Sequence, residues 1–149
     1  MDKLRQIINT LYKLPQAIED GFFIALQTQT LLLEERNRDH LFVGERDDQT
    51  QITPPYRPYT KKVKAQNGQP FDRVTLRDTG SFYRSIRYKV EDKTLRAYSL
   101  DPKYKPLDGK YSTSQGKILG ISKDTKNELL RFSPLLKFTL LESRKKLNM

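Results

Sequence analysis

The sequence predicts an α+β fold: a long N-terminal helix, a small antiparallel sheet entered through a Thr-Gly turn, C-terminal helices and long extended loops. Three observations carry this expectation. An apolar stripe at four–three spacing runs through the first forty residues. Two short runs between Ile86 and Ser99 alternate apolar and polar side chains, as strands with one buried face do. The end of the chain combines helix-start signals with a cluster of leucines and a basic tail. We read one domain over 1–149, divided into a helical part (1–40), an extended arm (44–71), a sheet (72–121) and C-terminal helices (122–147).

The N-terminal stripe is Leu4, Ile8, Leu11, Pro15, Ile18, Phe22, Ala25, Gln29 and Leu32, flanked by Ile7, Leu14 and Leu26. Asp2 is placed to cap the first turn. Pro15 lacks a backbone donor and restarts the helix, and Gly21 weakens the following turn. These signals predict helices over 3–14 and 15–38. A core helix lying across a sheet accounts for the stripe, and part of it is free to meet a neighbouring subunit. His40, alone in Arg38-Asp39-His40-Leu41, reads as a helix-ending residue rather than a base.

From Gly44 to Phe71 the periodicity collapses. Glu45-Arg46-Asp47-Asp48-Gln49-Thr50 reads as a polar turn, Pro54-Pro55-Tyr56-Arg57-Pro58 as extended backbone, and Asn67-Gly68 as another turn. No acidic residue falls between Asp48 and Asp72, whereas Arg57, Lys61, Lys62 and Lys64 are basic. Tyr56 and Tyr59 are interleaved with these charges, so the segment reads as an extended arm laid on a partner.

Thr75-Leu76-Arg77-Asp78-Thr79-Gly80-Ser81-Phe82-Tyr83-Arg84-Ser85-Ile86 reads as a strand end (Val74, Leu76), a tight Asp78-Thr79-Gly80 turn, one helical turn and a new strand. Gly80 supplies the positive φ such a turn needs. Phe82 and Ile86, four apart, share a face and can pin the helical turn onto the strands. Ile86, Tyr88 and Val90 then alternate with Arg87 and Lys89, and Leu95, Ala97 and Ser99 with Arg96 and Tyr98, joined by Glu91-Asp92-Lys93. This predicts a hairpin with one apolar and one basic face.

A second loop, Asp101 to Tyr111, mixes Tyr104 and Tyr111 with Lys103, Lys105 and Lys110. Ile118-Leu119-Gly120-Ile121 reads as a short strand. Thr125-x-x-Glu128 is a capping box, and Ser133-Pro134 marks a further helix start. Leu135, Leu136, Phe138, Leu140 and Leu141 feed the core, and Arg144-Lys145-Lys146 suit a helix C-terminus.

Composition narrows the function classes. Hydrophobic residues make up 36% and charged residues 31% of the 149, so the core is thin and neighbours in an assembly would supply part of the order. The formal charge is 28 − 18 = +10. Residues 1–75 carry 11 basic and 10 acidic side chains, and residues 76–149 carry 17 and 8, so the second half holds the excess. That excess fits an acidic partner surface, a nucleic acid or a solvated face alike. The absence of cysteine excludes disulfides and thiolate chemistry, and a single histidine excludes two-histidine metal motifs. No apolar run approaches a membrane helix, and Met1-Asp2-Lys3-Leu4-Arg5 does not resemble a signal peptide, which predicts a soluble protein of a cytoplasm-like compartment.

Little in the chain looks catalytic. Glu34 and Glu35 point apart on a helix, and Asp47-Asp48 lacks the pattern of a calcium loop. Gly116-Lys117 has no glycine-rich loop before it. Asp78-Thr79-Gly80 echoes the aspartic-protease triplet, but once only, between Arg77 and Ser81 rather than in an apolar strand. We expect no enzyme, no metal and no cofactor.

The pattern Leu76-x-x-Thr79-Gly80-x-Phe82-x-x-Ser85-Ile86 resembles one in the tail-completion and head–tail joining proteins of tailed bacteriophages. The order of elements around it, a long helix before, a hairpin after and a helical end, is similar to that family's. The resemblance implies a structural virion protein, a ring-forming neck component joining portal or adaptor to tail. Its partners would be copies of itself and neighbouring phage proteins, with DNA passing non-specifically through the lumen. It would be made in the host bacterial cytoplasm and would reside in the virion. The Pro-rich 44–71 stretch departs from the family's pattern. On this reading Tyr56, Arg57, Tyr59, Lys61, Lys62, Tyr104, Lys105 and Tyr111 are the partner-contact residues, because tyrosine and basic side chains serve as interface anchors. The alternative is a basic nucleic-acid-binding accessory protein using the same loops. No helix-turn-helix, RNP or zinc signature supports it.

Overall fold

The computed structural model describes residues 16, 19–21 and 23–132. The expected helix over 3–14, the capping role of Asp2 and everything predicted from Ser133 onward lie outside the described residues. Within them the fold is α+β. Helices α1 (Thr30–Val43), α2 (Pro58–Gln66) and α3 (Ser81–Ser85) precede a hairpin of β1 (Ile86–Glu91) and β2 (Thr94–Ser99). Helices α4 (Tyr104–Tyr111) and α5 (Lys123–Phe132) follow.

The helix expected over 15–38 is not continuous. Residues 23–27 are helical, Thr28 and Gln29 form a turn, and α1 then runs five residues past the expected end. The Thr28 hydroxyl donates to the Ala25 carbonyl at 2.6 Å, a local bond that competes with the helical ladder. At the far end Gly44 adopts φ +86°, its N–H donates to the Leu41 carbonyl and the Glu45 N–H to the His40 carbonyl, which closes α1. The core-facing stripe of α1 is Leu33, Asn37 and Leu41, with Glu34 beside it. A buried asparagine thus sits where the pattern wants an apolar residue.

The extended arm is also corrected. Glu45 and Gln51 form an antiparallel bridge, and the following segment, with a cis Thr53–Pro54 bond, leads into α2. Pro58 stands at the start of that helix, where its missing N–H costs nothing and its fixed φ is already helical. Asn67-Gly68 ends it, with Gly68 at φ +64°.

The expected hairpin forms, with Ile86 opposite Ser99, Tyr88 opposite Ala97 and Val90 opposite Leu95, and Glu91, expected in the joint, pairs instead with Thr94 as the last residue of β1. Asp92 and Lys93 both take positive φ (48° and 57°), the two-residue turn whose twist matches a hairpin. Ile86 and Tyr88 are buried, and β1 packs against α1.

Two apolar runs expected as strands are not strands. Val74, Thr75 and Leu76 are buried, but tyrosines rather than a neighbouring strand take up their polar groups. The Tyr56 hydroxyl accepts from the Thr75 and Leu76 N–H groups, each at 3.1 Å, and the Tyr83 hydroxyl donates to the Thr75 carbonyl at 2.5 Å. Ile118 and Leu119 are likewise buried, in a loop. Asn37 Nδ2 donates to the Ile118 carbonyl (2.9 Å), Asn37 Oδ1 accepts from the Gly120 N–H (3.0 Å), and the Tyr88 hydroxyl reaches both Asn37 Oδ1 and the Gly120 carbonyl at 2.6 Å. The sheet expected over 72–121 is therefore a two-stranded hairpin among the described residues, and the Asp101–Tyr111 loop contains α4.

The capping box on α5 shifts by one turn. Ser122, not Thr125, caps it: its Oγ accepts from the Thr125 N–H at 3.1 Å. Glu128, expected to reach back to that cap, pairs instead with Arg36 of α1 through two bonds of 2.6 and 2.7 Å.

Candidate interaction surface

The Thr-Gly segment has the local form that its residues call for. Gly80 takes φ +85°, α3 makes one turn directly after it, and Phe82 and Ile86 are buried in the core. Thr79 Oγ1 accepts a long bond from the Ser81 N–H (3.4 Å). Ser81 Oγ donates to Asp101 Oδ2 at 2.5 Å, tying the turn to the segment after β2. That hydroxyl, followed by the Lys103 N–H, holds the Asp101 carboxyl below the usual carboxylate range. Asp78 is 76% exposed, with Lys103 Nζ at 4.0 Å, an environment unlike the buried acid of a protease pair.

The eight expected contact residues separate into two groups. Arg57, Tyr59, Lys61, Lys62 and Lys105 are exposed, Tyr59 at 79%. Tyr56, Tyr104 and Tyr111 are not free anchors, and that expectation is corrected. Tyr56 holds the Thr75–Leu76 backbone as described. The Tyr104 ring stacks on Phe82 with centroids 6.3 Å apart and an interplanar angle of 14°. Tyr111 is buried, with the Lys110 ammonium 4.9 Å from its ring centroid. In so polar a chain these rings supply core area that aliphatic residues would otherwise provide.

The Thr-Gly turn, α2 and α4 enclose a groove of about 250 Å³. Its walls include Tyr56, Val63, Leu76, Phe82, Leu107 and Tyr111, and Arg77, Asp78 and Lys103 also line it. Lys64, expected from the sequence as one of the basic residues of an arm laid on a partner, is instead buried there. Its ammonium donates to the Arg77 carbonyl and to Gln69 Oε1 and sits 5.0 Å from the Tyr56 ring centroid.

Arg46, expected only as part of a polar turn, has a larger structural part. It is buried and makes five hydrogen bonds, to the Tyr111, Gln51 and Thr53 carbonyls and the Thr50 and Thr53 hydroxyls. Its fork fixes the 50–53 loop to the end of α4, a use of arginine's planar donor set that no carboxylate partner announces. Asp47 and Asp48 have a structural use as well. Asp47 Oδ1 accepts from the Lys117 N–H at 2.7 Å, and Asp48 Oδ1 from Thr50. Both carboxylates lie so close to Gly120 and Gly116 that a Cβ at either glycine would fall within 2.5 Å of an Asp oxygen. Among the described residues no group of three or more His, Asp or Glu side chains could hold a metal ion, and no helix is long and apolar enough to cross a membrane.

Compared with known proteins, the chain matches no family model, no curated protein and no solved structure.

Proposed function

We propose that this chain is a structural virion protein of a tailed bacteriophage, a ring-forming neck or tail-completion component that joins portal or adaptor to tail. The observation that carries the reading is the Leu76–Ile86 segment: a glycine turn at φ +85°, one turn of helix and the first strand of a hairpin, in that order. A helical N-terminal region precedes it, as in the family the segment resembles. Supporting it further, Arg57, Tyr59, Lys61 and Lys62 stand exposed on and beside α2, where they add nothing to the core and suit a partner contact. The reading assigns no catalysis and no cofactor, and places the protein in the virion after synthesis in the host cytoplasm.

The test replaces those four residues together with alanine. The variant should melt as the parent does, and phage carrying it should accumulate filled heads without attached tails. Normal tail attachment by a folded variant would remove this surface from the joint, and normal phage yield after deletion of the whole gene would refute the neck assignment. A nucleic-acid-binding accessory protein is the second reading, favoured by the same exposed cations on a stretch with no acid between Asp48 and Asp72. A dedicated binder would hold a short duplex below about micromolar at physiological salt, with a steep salt dependence.

A further inference from the structure

Arg38 of α1, Arg77 before the Thr-Gly turn and Arg84 of α3 come together around a hollow of about 290 Å³. Each guanidinium has donors to spare. Arg38 Nε donates to the Tyr83 carbonyl at 2.9 Å and Nη2 makes only a long bond of 3.4 Å to Glu34, which fixes the group without using its full fork. Arg84 Nη1 reaches the Thr79 carbonyl at 3.4 Å. The Arg77 guanidinium has no hydrogen-bond or ion-pair partner among the described residues. Asp39, the acid on the rim among the described residues, is already bonded to Arg36 at 2.9 Å.

The Thr-Gly turn builds part of this hollow. A Cβ at Gly80 would fall 2.9 Å from Arg84 Nη1, so the glycine makes room for the guanidinium to fold back over the turn. The remaining walls are aromatic, with Phe42 at 37% exposure and the buried Tyr83.

We propose that this arginine hollow binds a carboxylate side chain on an acidic segment of a partner protein. Arginine forks match carboxylate geometry through paired N–H donors, and three of them around one concavity suit a single protruding anionic group. A duplex presents phosphates along a track and is met by cations strung over a surface. Here the cations converge on one hollow beside an exposed aromatic ring, the arginine-plus-aromatic composition of a protein interface core. The inference stands apart from the neck assignment and holds for any acidic protein partner.

The test uses the full chain and a fluorescent peptide of alternating glutamate and leucine, followed by anisotropy at low salt, with a short DNA duplex in parallel. The wild type should bind the peptide more tightly than the duplex. Arg77→Ala with Arg84→Ala should weaken the peptide by at least about tenfold. Lys61→Ala with Lys62→Ala, which removes the same charge from α2, should weaken it by less than about threefold. The arginine variant should melt as the wild type. Should it melt lower, Arg77→Ala alone carries the comparison, because its guanidinium has no hydrogen-bond or ion-pair partner among the described residues. Failure of the wild type to bind the peptide, or equal losses in the arginine and lysine variants, would overturn the proposal. So would tighter binding of the duplex that is lost with Arg77, which would make the ligand a phosphate backbone.

Discussion

Tyr56→Phe isolates one oxygen atom and asks how much it holds. That oxygen accepts from two adjacent backbone N–H groups, those of Thr75 and Leu76, at 3.1 Å each. Thr75 is 0% exposed and Leu76 is buried, so neither donor has water to turn to once the hydroxyl is gone. Leaving a buried donor unsatisfied costs about 1–3 kcal/mol. The two donors share one acceptor, and we therefore expect a loss of about 2–4 kcal/mol rather than the full sum. Leu76 adds to the demand, because it is held at φ +56°, where a non-glycine residue persists only under external restraint. For a chain of this size the melting midpoint should fall by about 5–15 °C. The measurement is chemical and thermal denaturation of the wild type, Tyr56→Phe and Tyr59→Phe, the last being an exposed control expected to show no change. Tyr83→Phe should couple to Tyr56→Phe in a double-mutant cycle, since the Tyr83 hydroxyl binds the carbonyl of the same Thr75. A Tyr56→Phe loss below about 0.5 kcal/mol would refute the reasoning, since it would mean the N–H groups are satisfied elsewhere.

Two further predictions concern the turn and the pH response. Gly80→Ala should destabilise by more than about 1 kcal/mol, from the positive φ and from the 2.9 Å approach to Arg84 Nη1, as measured by urea denaturation. Glu128 is held below the usual carboxylate range by its paired bonds to Arg36, so its contribution is complete above its unfolded pKa of about 4.3 and is lost as pH falls through the lower folded value. Stability measured from neutral pH downward should therefore drop below about pH 5, and Glu128→Gln should reduce that drop while lowering stability at pH 7.

The sequence was legible where one signal decides the local backbone. The Gly80 turn, the single turn of helix after it and the alternating hairpin all follow from short patterns that no distant contact overrides. The paired positive φ at Asp92 and Lys93 completes the hairpin, although neither residue is glycine. Legibility failed where an ambiguous signal was resolved by a partner far away in sequence. Pro54, Pro55 and Pro58 together predict extended chain, yet Pro58 opens a helix because the first turn needs no donor from it. The α1 helix continues through Arg38-Asp39-His40 because its polar side chains have long-range uses. Asn37 reaches Ile118 and Gly120, His40 Nε2 lies 2.7 Å from Ser122 Oγ, and Arg36 reaches Glu128. Within the candidate surface, composition identified the tyrosines as having work to do but could not say on which side. A tyrosine beside a lysine is equally consistent with a partner pocket and with an internal cation–π contact such as Lys64 over Tyr56.

These failures share a cause in the thinness of the core. With 36% hydrophobic residues the chain has too few apolar side chains to give every buried segment a strand partner. Buried backbone polar groups must nevertheless be satisfied. Here side chains do it: Tyr56 and Tyr83 for the strap over 74–76, Asn37 and Tyr88 for 118–120, Arg46 for 50–53. Such bonds are directional and specific, so they fix irregular segments without a strand ladder, but they leave no periodicity to read. The same economy explains why exposed charge clusters on the remaining surface. Many buried polar residues are committed to backbone groups, so Arg57, Lys61 and Lys62 on and beside α2, and Arg77 and Arg84 about the Thr-Gly turn, are left for whatever the chain meets. The two clusters differ in kind. The first is mixed with the exposed Tyr59, whereas the second lines a hollow walled by rings. Substitutions that remove equal charge from each should therefore separate a general electrostatic attraction, which either would weaken, from a fitted contact, which only the second would lose.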